Sequence, residues 1–181
     1  YGQQYDASGN PMIYNGVNVV LDPYGFDAFD VGGADDKGRL VGARCIKYYP
    51  DKDAIGGWAN NDFVVFRYAD VLMMKAEALL RQGKDIATAV ELMNQIRSRA
   101  FPNNPEMLFT TSTLNLESLY EERGRELIWE MHRRVDMIRF GKFEDPMLFK
   151  PSTKGEEYRR IFPIPTSVLA SNPNLDQNTG Y

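Results

Sequence analysis

Glu122, Glu126 and Glu130 stand at consecutive i, i+4 positions, so a helix that carries them puts three carboxylates on one face. Paired carboxylates can do acid–base work on a glycosidic bond or hold a metal ion. Arg123, Arg125, Arg133, Arg134 and Arg139 are interleaved with them. Guanidinium groups that close keep carboxylates ionised, whereas a glycosidase needs one carboxyl held protonated in an open cleft. The expectation is therefore an ion-pair lattice tying two successive helices together, with no catalytic residue. The single histidine, His132, has no partner at Glu-x-x-His spacing and is not expected to bind metal. The single cysteine, Cys45, excludes an internal disulfide framework and a Cys-rich zinc site. No cofactor is expected.

A different chemistry lies nearer the start of the chain. A pyranose presents a flat patch of C–H groups, which stacks on an aromatic ring, and a rim of hydroxyls, which pair with amide and carboxylate groups. Trp58 follows Gly56-Gly57 and precedes Asn60, Asn61 and Asp62, so those parts occur within a few residues. Tyr24, Phe26 and Phe29 stand among Asp22, Asp27 and Asp30. The candidate ligand-binding residues are Trp58, Asn60, Asn61, Tyr24, Phe26 and Asp27; the competing reading has these rings packing loops onto a helical core. Trp129, inside a helical run, is expected to be core or partner-facing. Asp30 to Gly38 invites a calcium-loop reading, but Gly32 and Ala34 fall where an EF-hand needs oxygen ligands. A different calcium site using Asp35 and Asp36 stays open.

Two textures of chain must position these groups. Residues 1–62 hold 9 acidic and 5 basic residues, 10 of the 15 glycines and 9 of the 22 aromatics, whereas residues 63–181 hold 16 of each charge. The net charge of −4 thus belongs to the first third. Without a clustered basic field, nucleic acid is not an expected partner. Residues 1–62 read as a loop-rich, aromatic and acidic segment with ligand-facing loops, punctuated by turns such as Asn15-Gly16, with short strands expected at Val17–Leu21 and Arg44–Tyr49.

From Phe63 the pattern turns helical. Phe66 to Gln82 is a nearly continuous helix-forming run, closed by Gly83, whose ionic residues Arg67, Asp70, Glu77 and Arg81 form one stripe. The remaining faces are mainly apolar, so burial on most sides is expected. Asp85 suits an N-cap for a second helix to Ala100, with Ile86, Ala89, Val90, Met93, Ile96 and Ala100 on one face. The short turn between them predicts an antiparallel hairpin. A third helix is expected from Leu114 to Met131, capped by the preceding Thr/Ser cluster, with Leu116, Tyr120, Leu127 and Met131 on its seam and Gly124 admitting a neighbouring backbone. A fourth is expected from Arg133 to Phe140, closed by Gly141, and one turn at Thr166–Ala170. The fold class is all-α with long loops.

Ala76, Gly83 and Ala89 sit close to the small-residue positions of a tetratricopeptide repeat. A second copy 34 residues on fails, with Thr110, Glu117 and Arg123 at the corresponding places. One repeat cannot bury its own face, so the hairpin is expected to pack on helices this chain does not supply.

Arg67 to Leu72 (RYADVL) and Lys75 to Ala78 (KAEA) resemble the opening helix of the C-terminal region of the SusD/RagB family of outer-membrane glycan-binding lipoproteins. The resemblance continues in order through Leu92–Arg97 (LMNQIR) and Glu122–Leu127 (ERGREL). It then runs through Arg133, Asp136, Ile138–Lys142 (IRFGK), Phe162–Pro165 (FPIP) and the ending Asn172–Tyr181 (NPNLDQNTGY). Two positions depart: Met131-His132 stands where the family commonly has Gly before the Arg, and Phe140 replaces a frequent Trp. The resemblance implies the C-terminal part of a longer, SusD-like helical protein with tetratricopeptide-type helix pairs. It further implies an anchor on the outer-membrane surface through a lipidated Cys upstream of this chain, and non-catalytic capture of oligosaccharides for a partner TonB-dependent (SusC-like) transporter. Two other readings remain open on the residues alone, a tetratricopeptide-type protein-binding module and a polysaccharide hydrolase built on Glu122–Glu130.

Overall fold

In the computed structural model, described here for residues 2–21, 45, 47–48, 51, 53–56, 59–147 and 150–181, nearly all regular structure after residue 62 is helical. The chain divides into two units, Tyr1–Asp62 and Phe63–Tyr181.

The first unit begins with β1 (Gly2–Gln3), β2 (Ile13–Tyr14), β3 (Val17–Asn18) and β4 (Val20–Leu21). Strand β2 pairs antiparallel with β3, Ile13 opposite Asn18 and Tyr14 opposite Val17, and β1 pairs with β4, Gly2 opposite Leu21. Asn15 and Gly16 turn the inner hairpin with φ of 47° and 78°, the left-handed pair that a two-residue turn matched to strand twist requires. The strand expected at Val17–Leu21 is thus present as two short pieces. The one expected at Arg44–Tyr49 lies mostly outside the described residues, and Cys45, Lys47 and Tyr48 are not in a strand.

The second unit is built on α1 (Tyr68–Gln82) and α2 (Ile86–Ala100). Gly83, at φ 63°, ends α1 with both bonds of a Schellman motif: its N–H donates to Leu80 O, and Lys84 N–H donates to Leu79 O. Asp85 accepts from Thr88 N–H and starts α2. Ala76 and Ala89 are fully buried in the hairpin, where small side chains allow close helix approach, and Met73 and Met93 fill the space beside them. Leu92 is also buried and belongs to the inner face of α2, whereas Ala100 is exposed.

Helix α1 departs from expectation on its outer side. Tyr68, Val71 and Met74 are exposed, and so is Ala78, so the helix buries one face rather than most. Among the described residues nothing covers that apolar stripe.

Helix α3 (Leu116–Glu126) is shorter than the sequence pattern suggests. Its N-cap is Asn115 rather than the Thr/Ser cluster: Asn115 Oδ1 accepts from Ser118 N–H while Ser118 Oγ accepts from Asn115 N–H, a capping box. Thr110, Ser112 and Thr113 instead bond to one another in the preceding turn. At the other end Arg67 Nη2 donates to the Glu126 carbonyl at 2.7 Å. Glu130 N–H, which would take that carbonyl in a continuing helix, turns to Leu127 O at 3.0 Å. Residues 127–131 leave the helix, Trp129 and Met131 adopt φ of 66° and 63°, and Met131 is exposed rather than on the seam. Gly124 faces the Arg133 guanidinium, not a neighbouring backbone: a Cβ there would lie 2.6 Å from Arg133 Nη1.

Helix α4 (Arg133–Arg139) ends on a second Schellman motif at Gly141, φ 68°, and α5 (Thr166–Ser171) follows a long irregular stretch. The last residues double back on that stretch. Gln177 Nε2 donates to Ile164 O and Gln177 Oε1 accepts from Ile164 N–H, so one side-chain amide satisfies the backbone between Pro163 and Pro165.

Candidate functional site

The carboxylates that could have done chemistry are engaged by arginines. Glu122 accepts from Arg97 and from Arg125, the latter at 2.7 Å. Glu126 accepts from Arg67 at 2.7 Å and from Arg99 at 2.6 Å, and Glu130 accepts from Arg67 Nε at 2.8 Å. A lattice exists, as expected, and Arg125 of the same helix takes part in it. These three glutamates also bind Arg97 and Arg99 of α2 and Arg67 just before α1, which the sequence does not pair with them. Arg123 ties α3 to α4 and to α1: its Nε meets Asp136 Oδ2 and its Nη1 meets Asp70 Oδ1, both at 2.8 Å, with all three groups buried. Arg139 forks onto both oxygens of Glu77 at 2.7 and 2.9 Å and reaches Asp136 as well.

The electrostatics match scaffold chemistry. Burial pushes the Glu77 carboxyl up, but hydrogen bonds from Arg139 and Arg81 outweigh it and hold the group below the ordinary glutamate range. Burial likewise opposes the Arg67 cation, and the Glu130 and Glu126 carboxylates more than offset it, leaving the guanidinium more basic than usual. A general acid needs the opposite shift. The Arg67, Asp70, Glu77 and Arg81 stripe belongs to this lattice throughout. Arg97 and Arg99 belong to it as well; the sequence signals their charge but not which glutamate each meets.

Aromatic rings sheathe several of these arginines. Arg133 stacks 3.9 Å from the Tyr120 ring centroid, Arg97 lies 4.9 Å from that of Phe101 and 4.6 Å from that of Phe109, and Arg134 sits 4.3 Å from Phe162. His132 lies 6.5 Å from the Phe66 ring, and among the described residues no group of His, Cys, Asp and Glu is arranged to hold a metal ion. No helix among them is long and apolar enough to cross a membrane.

Of the candidate sugar-binding residues, Trp58, Tyr24, Phe26 and Asp27 lie outside the described residues, as do the Asp30–Gly38 segment and the second cluster's Phe29. Asn60 and Asn61 are described and exposed. Asp51 Oδ2 accepts from both Asn60 N–H, at 2.8 Å, and Asn60 Nδ2, at 2.9 Å, while its Oδ1 accepts from Asp53 N–H. Those bonds hold the Asp51 carboxyl below its ordinary value, Asn60 N–H foremost. Asn60 is therefore clasped to Asp51.

Trp129 is two-thirds exposed, so the core alternative for it is removed. With Ile128 and Met131 it lines an open groove of about 790 Å³ beside Gly124 and Leu127. Each left-handed backbone there costs about 1–2 kcal/mol in a residue with a Cβ. Met131-His132 stands where the family resemblance expects a Gly, and Met131 has a φ of 63°, a backbone that Gly adopts without a Cβ penalty.

A tetratricopeptide-like helix pair, riveted by buried arginine–carboxylate bonds to two further helices, defines a helical scaffold of the SusD type. The chain belongs to the SusD family: the family's sequence model matches residues 4–181. Starch-binding protein SusD of Bacteroides thetaiotaomicron is 31% identical over 131 residues, which is 68% of this chain and 22% of that protein. A SusD-like protein of Formosa agariphila is 35% identical over 129 residues, 67% of this chain and 25% of its own length. The crystal structure of a SusD superfamily protein from Bacteroides vulgatus superposes with a TM-score of 0.57 at 28% identity, over 70% of this chain and 30% of the other. The chain therefore spans about a quarter of the length of the curated relatives it matches.

Proposed function

We propose that this chain is the C-terminal part of a cell-surface protein that binds oligosaccharides without cleaving them and delivers them to a TonB-dependent outer-membrane transporter. The reading includes an anchor on the outer membrane through a lipidated Cys upstream of Tyr1. The observation that carries it is the family match over nearly the whole chain, with a relative that is named a starch-binding protein. The lattice favours binding over hydrolysis, because Glu122, Glu126 and Glu130 each already accept hydrogen bonds from arginine. A glycosidase instead needs two carboxyls facing one open cleft.

In this reading Trp58 stacks on a pyranose face while Asn61 and neighbouring amides meet its hydroxyls, and Tyr24, Phe26 and Asp27 form a second contact. The Asp51–Asn60 bonds support it by tethering Asn60, which lies two positions after Trp58 in the sequence. Calorimetry of the full-length protein against a panel of oligosaccharides tests the proposal. Binding at up to millimolar sugar, weakened in Trp58→Ala with an unchanged melting temperature, is the expected result. No binding to any glycan removes the assignment, and peptide binding in its place would favour the protein-binding module. Turnover of a glycan would revive the hydrolase.

A further inference from the structure

Around Asn60 the first unit offers a ligand acceptors and few donors. Asp51 Oδ2 takes both Asn60 N–H and Asn60 Nδ2, at 2.8 and 2.9 Å, and its Oδ1 takes Asp53 N–H. Asn60 has thus given up its backbone proton and one of its two amide protons. Its Oδ1, in contrast, meets no donor among the described residues. The carboxylates of Asp53 and Asp62 are likewise without a hydrogen bond or ion pair among those residues, and Asp53, Asn60 and Asp62 are all exposed.

Such a surface selects by which partner carries the proton. A sugar hydroxyl donates to an amide or carboxylate oxygen. A uronate or sulfate oxygen brings no proton and needs Arg, Lys or several N–H groups. Charge points the same way. Residues 1–62 hold 9 acidic and 5 basic residues, so the net charge of −4 lies within this unit. Among its described residues the carboxylates are Asp6, Asp51, Asp53 and Asp62, and the one basic side chain is Lys47. A field of one sign repels ligands of that sign, and such repulsion separates ligands that share a shape. A neutral glycan loses nothing to it.

We propose that the oligosaccharide this protein takes is free of carboxylate and sulfate groups, and that the open acceptors of Asp53, Asn60 and Asp62 select it over anionic glycans. The inference rests on the glycan reading above and narrows that reading to one ligand class. Asp51 contributes by fixing Asn60 with its donors turned inward, which leaves Oδ1 for a hydroxyl.

Calorimetry of the full-length protein tests the inference with gluco-, galacto- and manno-oligosaccharides, each beside its uronate and its sulfated counterpart of equal length. At about 10 mM salt the neutral member is expected to bind about tenfold more tightly than its anionic counterparts, and the ratio should shrink at about 0.5 M salt as screening removes the repulsion. Asp53→Lys and Asp62→Lys, both at exposed positions, should each narrow the low-salt ratio by about threefold. An anionic oligosaccharide that binds as tightly as its neutral counterpart overturns the proposal and leaves the glycan reading standing. A ratio that neither substitution moves also overturns it. Failure of every sugar to bind removes the glycan reading, and this inference with it.

Discussion

Arg123 Nη1 lies 2.8 Å from Asp70 Oδ1, across 53 residues of sequence, with both side chains 3% exposed. The same guanidinium holds Asp136, so one cation joins α1, α3 and α4. Removing it takes the guanidinium partner from buried Asp70 and one of two from buried Asp136, which keeps Arg139. Arg123→Met is expected to lower unfolding free energy by about 3–5 kcal/mol, a large share of the total for an ordinary domain. Arg123→Lys should recover little, because an ammonium cannot present the fork that spans both partners. Urea denaturation of the three proteins measures both statements; equal midpoints for wild type and Arg123→Met would refute the rivet.

Glu77 sets part of the acid limit. Its folded-state pKa lies below the ordinary 4.5, so between the two values the unfolded chain binds more protons than the folded one. Stability from this group is complete above about pH 4.5 and is lost as pH falls through the lower folded value. Glu77→Gln should flatten the pH dependence of stability in that acid window. At neutral pH the variant should also be less stable than wild type, since Arg139 and Arg81 lose their charged partner. Thermal melts at a series of pH values compare the slopes.

Met131 offers a test of backbone strain that is independent of what covers it. Met131→Ala and Met131→Gly both delete the side chain, but only Gly adopts a φ of 63° without a Cβ penalty. The Gly variant is expected to exceed the Ala variant by about 1 kcal/mol in chemical denaturation. The reverse order would mean that the turn relaxes out of the left-handed region.

Gly180 secures the C-terminal tail. A Cβ at this position would stand 2.5 Å from Tyr158 Cγ, and its φ of 102° is foreign to L side chains. Tyr181 stacks edge-on to Tyr158 at 5.0 Å and donates its hydroxyl to Ile161 O. Gly180→Ala should cost about 1–3 kcal/mol and release the tail. Hydrogen exchange would then show lost protection at Ile164, whose N–H is held by Gln177.

If the proposed sugar site is right, Asp51 is a test of it through its bonds to Asn60. Asp51→Ala removes both bonds that Asn60 donates to it. With the melting temperature nearly unchanged, oligosaccharide affinity of the full-length protein should fall about tenfold, equivalent to about 1.4 kcal/mol. Undiminished affinity in calorimetry would place the sugar elsewhere.

Helix positions were legible because their signals are local. Gly83 and Gly141 close helices within two residues of where the sequence places them, and Asp85 caps α2 as its type suggests. The end of α3 was not legible. A period that runs on to Met131 is overruled at Glu126 by a guanidinium arriving from Arg67, 59 residues away in sequence. The lattice was foreseeable as chemistry, since interleaved arginines and glutamates must pair when buried, yet the pairs themselves were not. The outer face of α1 was misjudged for a related reason, because apolar composition shows that a face should be buried without showing where its cover comes from.

The sequence by itself determined that the helices exist, the Asp85 cap, the glycine ends at Gly83 and Gly141, the hairpin at Gly83 and the family to which the chain belongs. Those depend on spacings of a few residues and on collinear motifs such as Phe162–Pro165 and Asn172–Tyr181. Tertiary structure alone decided that Arg123 joins Asp70 to Asp136, that Glu126 ends its helix, and that Trp129 faces outward. The physical reason is range. Backbone propensity and capping act within one helical turn, whereas a buried charge takes whichever partner packing brings within hydrogen-bond distance.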